Sequence, residues 1–136
     1  MAKNKIICDT DVLIDYFDSN KIRHLQTKAL IDNEIGIDDV ALSAISKMEL
    51  MAGAVNKVEL RLLNKNIYRL NLLLINPEIS SIALGLMENY NLSHGLAIPD
   101  SLIAATALHT NLKLFTYNIK DYKFIDGLNL YNPIMK

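Results

Sequence analysis

The sequence predicts an α/β fold in which a parallel sheet is covered by helices on both faces. Short apolar runs, of the length typical of buried strands, alternate with longer segments whose apolar residues recur at helical spacing. A strand followed by a helix and another strand is the arrangement that gives parallel pairing. Acidic residues stand near the ends of several of these runs. The runs are residues 6–8, 40–42, 72–75 and 112–115, with a short last strand at 128–130.

The composition is that of one globular domain. The chain has 136 residues, of which 51% are hydrophobic, and this supplies enough apolar surface for one core. We therefore expect residues 1–136 to form a single domain. The formal net charge is -1, so binding to a nucleic acid would require a local patch of cations.

The features that bear on cellular location favour the cytoplasm. Cys8 is the only cysteine and lies in a predicted buried strand, which fits a reducing compartment and an inert thiol. The first residues lack the apolar stretch of a signal peptide, and no run approaches the roughly 18 apolar residues of a membrane span. We expect a cytoplasmic protein that does not enter a membrane.

The first strand ends abruptly in charge at Asp9. Apolar residues then recur at helical spacing, and Thr10 or Asp11 is placed to cap this helix through a side-chain oxygen. Asp9 is therefore expected at the carboxyl end of a central strand, where ligands bind in open α/β sheets. Asp15, one turn after Asp11, is expected to face solvent or to be a like-charge neighbour of Asp11, and not a ligand.

The remaining elements follow from apolar periodicity and from breakers such as Gly36 and Pro77. A buried, alanine-rich helix is expected after Asp100, because that segment is apolar nearly all round. A polar loop, residues 116–121, follows the fourth strand. The other predicted helices are residues 22–33, a segment containing Glu49, residues 58–68 and residues 77–90, the last followed by a loop at 91–95.

Four cations fall four residues apart in the predicted helix of residues 58–68 and at its flanks, which places them along one face. By default such a stripe is a solvated helix surface. The alternative is a surface that follows the phosphates of a nucleic acid. The cations are Lys57, Arg61, Lys65 and Arg69.

Four acids are predicted to converge at one edge of the sheet, because the carboxyl ends of parallel strands lie together. Like charges about 4 Å apart repel by roughly 4 kcal/mol at an effective dielectric near 20, so such a cluster needs a cation or protons. Oxygen ligands without a histidine or cysteine set favour Mg²⁺ or Mn²⁺ over zinc. The acids are Asp9, Glu49, Asp100 and Asp121.

Three of these acids also have an ordinary structural explanation. Ser46 and Glu49 match a capping box, in which Glu49 would reach back to the Ser46 amide. Asp100 fits an acid stabilised at a helix start, and Asp121 fits a turn residue. Asp9 has no comparable packing role, since an acid that directly follows a buried strand gains nothing from burial.

Four segments, taken in order, resemble the acidic motifs of PIN-domain ribonucleases. They are CDTDVLIDY (8–16), SAISKMEL (43–50), IPDSLIAATAL (98–108) and LFTYNIKDY (114–122). More narrowly, the set is similar to the VapC toxins of bacterial and archaeal toxin-antitoxin pairs. The similarity covers nearly the whole chain, and its specificity lies in the ordered set, since each motif alone is weak.

The resemblance implies a three-layer α/β/α sandwich with a mainly parallel central sheet and a metal-dependent endoribonuclease. Asp11 departs from the family pattern, which more often has a small polar residue there, and it either adds charge near the pocket or caps the helix. Whether Asn118 or Asp121 lies nearer the metal stays open. The resemblance makes Asp9, Glu49 and Asp100 the principal ligands of Mg²⁺ or Mn²⁺, Asp121 the fourth, and Thr10, Thr116 and Asn118 their polar support.

The partners implied by the resemblance are an RNA substrate, a cognate antitoxin protein and a second copy of the chain in a homodimer. Hydrolysis would proceed by in-line attack of an activated water on the phosphodiester. RNA has to approach an acidic pocket, so nearby cations are candidates for contacts to its backbone. These candidates are Lys47, Lys57, Arg61 and Lys65.

Two other interpretations stay open. Asp9 and Asp11 also resemble the first motif of haloacid-dehalogenase-type phosphatases, although Asp100 is not followed by the further acid which that motif needs and Glu49 would have no role. The other interpretation is a PIN-like binding module without catalysis, which would recruit or sequester a partner. Metal dependence distinguishes a nuclease from such a module.

Overall fold

A sheet of four parallel strands lies at the centre of the protein. The structure is a computed structural model that describes residues 5–133. The strands are β1 (Ile6–Cys8), β2 (Val40–Ser43), β3 (Asn71–Leu73) and β4 (Lys113–Phe115). Their order in the sheet is β3-β2-β1-β4, and every neighbouring pair is parallel. Ile7 of β1 lies opposite Ala41 on one side and Leu114 on the other, so the predicted central position of this strand is confirmed.

Helices cover both faces of the sheet. The helices of residues 5–133 are α1 (Thr10–Phe17), α2 (His24–Ala29), α3 (Ala44–Ala52), α4 (Lys57–Ile67), α5 (Pro77–His94) and α6 (Ile98–Thr110). Ile7, Ala41 and Leu114 point to the face where α5 and α6 pack. Cys8 and Phe115 point to the face covered by α1 and α4, as the alternation of side chains along a strand requires. The predicted three-layer α/β/α arrangement is confirmed.

Side-chain caps fix where several helices begin. Ser43 accepts a hydrogen bond from the Ser46 amide at the start of α3, and Asn56 and Asn76 cap α4 and α5 in the same way. The cap of α1 is Asp9, whose backbone is extended and whose carboxylate accepts from the Thr10 amide. The prediction of Thr10 or Asp11 as cap is wrong, because both residues already belong to the helix.

The predicted helix of residues 22–33 is wrong in its regularity and in its end. α2 begins at His24 and gives way to a π-helical segment, Leu30–Ile35, which Gly36 terminates at a φ of 90°. Leu30 and Ile31 are buried against the sheet. The wider turn lets both neighbouring side chains reach the core.

Two predictions near the C-terminus also need correction. α5 continues to His94 through the predicted loop of residues 91–95, and ends at Gly95 in the left-handed conformation with φ 70°. The predicted strand at residues 128–130 is reduced to one parallel bridge between Leu130 and Leu114. β4 has only three residues, so it offers little backbone for a further strand to pair with.

The alanine-rich α6 is buried as predicted. Ala104, Ala105 and Thr106 have no exposed surface, and the helix packs on α5 and the sheet. Small side chains allow this close approach of backbones. Within residues 5–133, no helix has the length and apolar character needed to cross a membrane.

The packing of α5 makes a first prediction, for the pair Leu86 and Leu84. Leu86 is 7% exposed in the core, whereas Leu84 on the same helix is 73% exposed. Leu86→Ala is expected to lower the free energy of unfolding by about 2–5 kcal/mol, because it leaves a cavity. Leu84→Ala should change it by less than about 0.5 kcal/mol. Urea unfolding followed by circular dichroism measures both, and equal losses would contradict the assigned burial.

Candidate active site

Asp9 is held at the carboxyl edge of the sheet by groups from two elements. Its backbone N–H donates to the carbonyl of Phe115 at 2.9 Å. One carboxylate oxygen accepts from the Thr10 amide at 2.8 Å, and the other accepts from the Thr116 hydroxyl at 2.8 Å. The side chain is nearly buried. The end of β4 and the start of α1 therefore fix the orientation of this carboxylate together.

Glu49 comes to the same edge from α3. Its Oε1 accepts a hydrogen bond from the Thr10 hydroxyl at 2.6 Å, and that hydroxyl also lies 3.0 Å from Ser46 Oγ. The capping-box explanation of Glu49 is wrong, because Ser43 is the cap of α3 and Ser46 lies inside the helix. Glu49 therefore faces the edge at which Asp9 lies.

Asp100 lies in the first turn of α6. Its Oδ1 accepts a hydrogen bond from the hydroxyl of Tyr122 at 3.1 Å. Tyr122 is almost fully buried, and its hydroxyl also interacts with the Asp9 carboxylate. Tyr122 was not predicted as a site residue. Its signal in the sequence is that it directly follows the predicted acid Asp121.

The loop after β4 supplies the remaining predicted residues. Asp121 lies in a 3-10 turn, Ile119–Asp121, and is close enough to Asp100 to affect its ionisation. Asn118 donates its backbone N–H to the Thr116 hydroxyl at 3.0 Å. Asn118 thus supports Thr116 through its main chain, and the carboxylate that acts on Asp100 is that of Asp121.

Asp11 links the start of α1 to the same loop. Its Oδ2 accepts from the Tyr117 amide at 3.0 Å, and its Oδ1 accepts from the Val12 amide at 2.8 Å. Both carboxylate oxygens therefore have backbone donors. Of the two roles considered for Asp11, capping of α1 falls to Asp9, whereas added charge near the acids agrees with the effect of Asp9 on the pKa of Asp11.

The acids at this edge are crowded and partly dehydrated. Burial raises the pKa of Asp100 to about 6, and the charges of Asp9, Asp121 and Glu49 act in the same direction. Burial and the charge of Asp9 likewise raise the pKa of Asp11 to about 6. The pKa of Asp9 is also raised, first by burial, against the hydrogen bonds from Thr116 and Thr10. The carboxylates therefore act on one another electrostatically.

The chemistry of the donors fits a hard divalent cation, since carboxylate oxygens are the ligands that Mg²⁺ and Mn²⁺ prefer. The ion pairs in residues 5–133 include none of the acids Asp9, Glu49, Asp100 and Asp121. As the side chains stand, no three or more carboxylate, imidazole or thiol groups in the described part of the chain form a complete metal cage. Binding of an ion would require a change in the orientation of some of these side chains.

The predicted cations lie on α3, on α4 or just beyond α4, and the ion pairs of residues 5–133 join none of them to an acid of this edge. Lys57, Arg61 and Lys65 are exposed on α4, and Lys47 is half-buried on α3. Arg69 lies beyond the end of α4 and pairs with Asp38 at 2.9 Å. The predicted stripe of four is therefore a stripe of three cations in the helix, with the fourth bound elsewhere.

Asp15 contradicts the expectation that it faces solvent. It is 5% exposed and accepts a hydrogen bond from Arg23 Nε at 2.7 Å. The His24 ring also lies 2.9 Å from the Asp15 carbonyl. The spacing of Asp15 from Asp11 indicated exposure, and a cation eight residues away gave no local signal of pairing.

Comparison with known proteins assigns the family. The sequence model of the PIN domain matches residues 6–126, which is most of the chain. The protein belongs to the PIN domain family, and the fold predicted from the resemblance is confirmed. Comparison with curated protein sequences gave no match.

Solved structures with the same fold come from toxin-antitoxin systems. A toxin-antitoxin complex from Klebsiella pneumoniae is 28% identical with a TM-score of 0.74, covering 91% of this chain and 95% of that one. VapBC2 from Rickettsia felis, bound to a promoter DNA fragment, is 24% identical with a TM-score of 0.72 and coverages of 93% and 97%. FitAcB from Neisseria gonorrhoeae has the same identity and TM-score, with coverages of 93% and 96%. At 24% identity the last two establish the fold alone.

The raised pKa values of Asp11 and Asp100 predict how stability depends on pH without metal. Both carboxyls hold their protons more tightly in the folded protein, at a pKa of about 6, than an ordinary aspartate does at 3.8. The free energy of unfolding should therefore fall as pH rises through the interval between these values, and should be higher near pH 5 than near pH 7.5. Urea titrations in EDTA at the two pH values measure the difference.

The variants Asp100→Asn and Asp11→Asn should reduce this pH difference, because each removes one titrating group. Asp38→Asn is the matched control, since its exposed carboxylate precedes β2 at the opposite edge of the sheet. A pH difference that is as large in both site variants as in the unmodified protein would show that these carboxyls are not the groups that titrate.

Proposed function

We propose that this protein is a metal-dependent endoribonuclease, and the toxin of a toxin-antitoxin pair. The observation that carries the proposal is the group of acids from four separate segments at one edge of a PIN-domain sheet. Their mutual repulsion and their lack of a described ion-pair partner are the conditions under which a divalent cation binds. The acids are Asp9, Glu49, Asp100 and Asp121.

The residues of the site divide into those that hold the cation and those that orient them. Mg²⁺ or Mn²⁺ would be held by the four acids, and when bound it supplies an activated water and stabilises negative charge on the phosphate. Thr116 orients Asp9, Thr10 orients Glu49, and Tyr122 orients Asp100. Asn118 holds the Thr116 hydroxyl through its amide. These fixed hydrogen bonds keep the carboxylates aimed at one region before substrate arrives.

The substrate in this proposal is RNA, whose phosphodiester is hydrolysed by in-line attack of water. The strand has to be held against the negative field of the acids. Cations on α3 and α4, half-buried on α3 and exposed on α4, supply contacts to its backbone, since α3 carries Glu49 and α4 follows it in the chain. These are Lys47, Lys57, Arg61 and Lys65.

The proposed partners are a cognate antitoxin and a second copy of this chain. The antitoxin is supported by the structural neighbours, whose chains come from complexes of toxins with antitoxins. Exposed apolar side chains on α3 and α4, among them Met48, Val58 and Leu62, give a protein partner surface to bury. A cytoplasmic location fits both partners.

The phosphatase alternative assigns Asp11 to acid-base catalysis. Asp11 accepts hydrogen bonds from the Val12 and Tyr117 amides, so its carboxylate serves the backbone. This observation favours the nuclease. The alternative of a non-catalytic binding module is tested by the same experiment as the nuclease.

The experiment measures cleavage of a mixed pool of structured RNAs by purified protein with Mg²⁺, Mn²⁺ or EDTA. Cleavage should require the metal. Asp9→Asn and Asp100→Asn should each reduce the rate by at least about a hundredfold, since each removes a charge from the proposed metal site. Isothermal titration with Mn²⁺ should show weaker metal binding in both variants.

Asp38→Asn is the control for this experiment, because it makes the same chemical change at the opposite edge of the sheet. It should retain cleavage and metal binding. Metal binding without cleavage of any RNA in the pool would count against the nuclease and favour the phosphatase alternative. Absence of metal binding in the unmodified protein would favour the binding module.

A further inference from the structure

A shallow depression of about 500 Å³ lies beside the connection between α1 and α2. It is lined by Asp15, Asn20, Lys21, Ile22 and Arg23. Two of these five side chains are cations, and the one acid among them is already paired with Arg23. The open part of the depression is therefore positively charged, in a protein whose formal net charge is -1.

The guanidinium of Arg23 is fixed in position by two contacts. Its Nε donates to Asp15 Oδ2 at 2.7 Å, and Asp15 is 5% exposed. Its central carbon lies 4.0 Å from the centre of the Tyr117 ring, which is the distance of a cation-π contact. The Tyr117 hydroxyl is in turn 2.6 Å from the Thr27 hydroxyl. The guanidinium of Arg23 is therefore held by Asp15 at Nε and by the Tyr117 ring at its central carbon.

The terminal nitrogens of Arg23 have no hydrogen-bonding partner among residues 5–133, in which only Nε is bonded. The Arg23 side chain is also 45% exposed, so these two nitrogens can be reached by a ligand. Lys21, two residues earlier, is exposed and its ammonium makes no ion pair within the described residues. Two nitrogens in a fixed fork beside a second, exposed cation match the geometry of a phosphate group.

This depression is connected through Arg23 and Tyr117 to the carboxylate cluster at the carboxyl edge of the sheet. The cluster consists of Asp9, Asp11, Glu49, Asp100 and Asp121. The amide of Tyr117 donates to Asp11 at 3.0 Å, and the preceding residue, Thr116, donates its hydroxyl to Asp9. Arg23 lies over the ring of that same tyrosine. One residue of the loop after β4 therefore contacts the acidic edge with its backbone and the arginine with its ring.

We propose that Arg23 and Lys21 bind a backbone phosphate of the RNA strand next to the one at the carboxylate cluster. The inference rests on the proposed function for the identity of the ligand. Arg23 differs from the exposed lysine and arginine residues of α4 because Asp15 and Tyr117 hold it before RNA binds, so less side-chain freedom is lost on binding. The depression thereby sets where the strand lies relative to the acids.

The test is binding of a single-stranded RNA oligonucleotide in EDTA, which prevents metal-dependent cleavage, over salt concentrations from about 50 to 200 mM. Lys21→Gln should reduce the slope of log K against log salt by about 0.7, the value for one phosphate contact on a single strand. Arg23→Lys keeps a partner for Asp15 but lacks the fork, and should weaken binding about tenfold, as expected for one lost charge-assisted hydrogen bond.

Each variant has a matched control. Lys28→Gln removes the same charge from α2, where Lys28 pairs with Asp32, and Arg69→Lys repeats the arginine change at an exposed ion pair with Asp38. Neither control should change affinity or salt slope. Thermal unfolding of every variant separates a loss of binding from a loss of fold.

A second readout uses the metal-loaded protein and RNA cleavage. Arg23→Lys and Lys21→Gln should raise KM with little change in kcat, because they affect strand binding and not the reacting phosphate. Cleavage with unchanged KM, affinity and salt slope in both variants would overturn the phosphate site and leave the nuclease intact. RNA binding that depends on Arg23 without any cleavage would support the site and count against the nuclease.

An oligoglutamate peptide distinguishes phosphate recognition from general attraction of anions. Because a carboxylate also accepts two bonds from a guanidinium, the phosphate site predicts that Arg23→Lys weakens RNA binding and that excess oligoglutamate does not displace RNA from the unmodified protein. Displacement of RNA by oligoglutamate would overturn the assignment to RNA and indicate a surface for an acidic peptide.

Discussion

The hydrogen bond from the Thr116 hydroxyl to Asp9 is the contact on which the candidate site depends. A carboxylate that is only 6% exposed needs donors to replace lost water, and Asp9 obtains one from the start of α1 and one from the end of β4. The two donors come from segments more than 100 residues apart. They meet because β1 and β4 are neighbours in the sheet, so the whole α/β topology is required to hold one side chain.

The same topology places acids that have no ion-pair partner among residues 5–133 at one end of the strands and an ion pair at the other. The carboxyl edge of the sheet collects Asp9, Asp100 and Asp121, whereas the ion pair between Arg69 and Asp38 lies at the amino edge. The raised pKa values of the acids show that folding without a cation works against their charge. A site of this kind stores unfavourable electrostatic energy in the folded chain, and a bound cation would release it. Metal binding and stability should therefore be linked in this protein.

The sequence predicted the elements whose cause is local and missed those whose cause is distant. The alternation of apolar runs and helical periods gave the four strands, and the position of the acids after them gave their convergence. Tyr122 and the burial of Asp15 were missed, because each depends on a partner from another element. The π-helical segment at Leu30–Ile35 was missed because its apolar pattern also fits an ordinary α-helix. The roles of the site residues stay predictions.

The bridge between Leu130 and Leu114 protects the edge strand β4 from pairing with strands of other molecules. β4 is an edge strand, and in its three residues only Leu114 directs both backbone groups outward. Its N–H donates to Asn129 and its carbonyl accepts from Tyr131, so both groups are already used. An exposed strand edge is a template for pairing with another molecule. The short segment 129–131 therefore occupies the hydrogen-bonding groups with which a strand of another molecule would pair at β4. Pairing with a strand of another molecule then has to be prevented at β3, the other edge of the sheet.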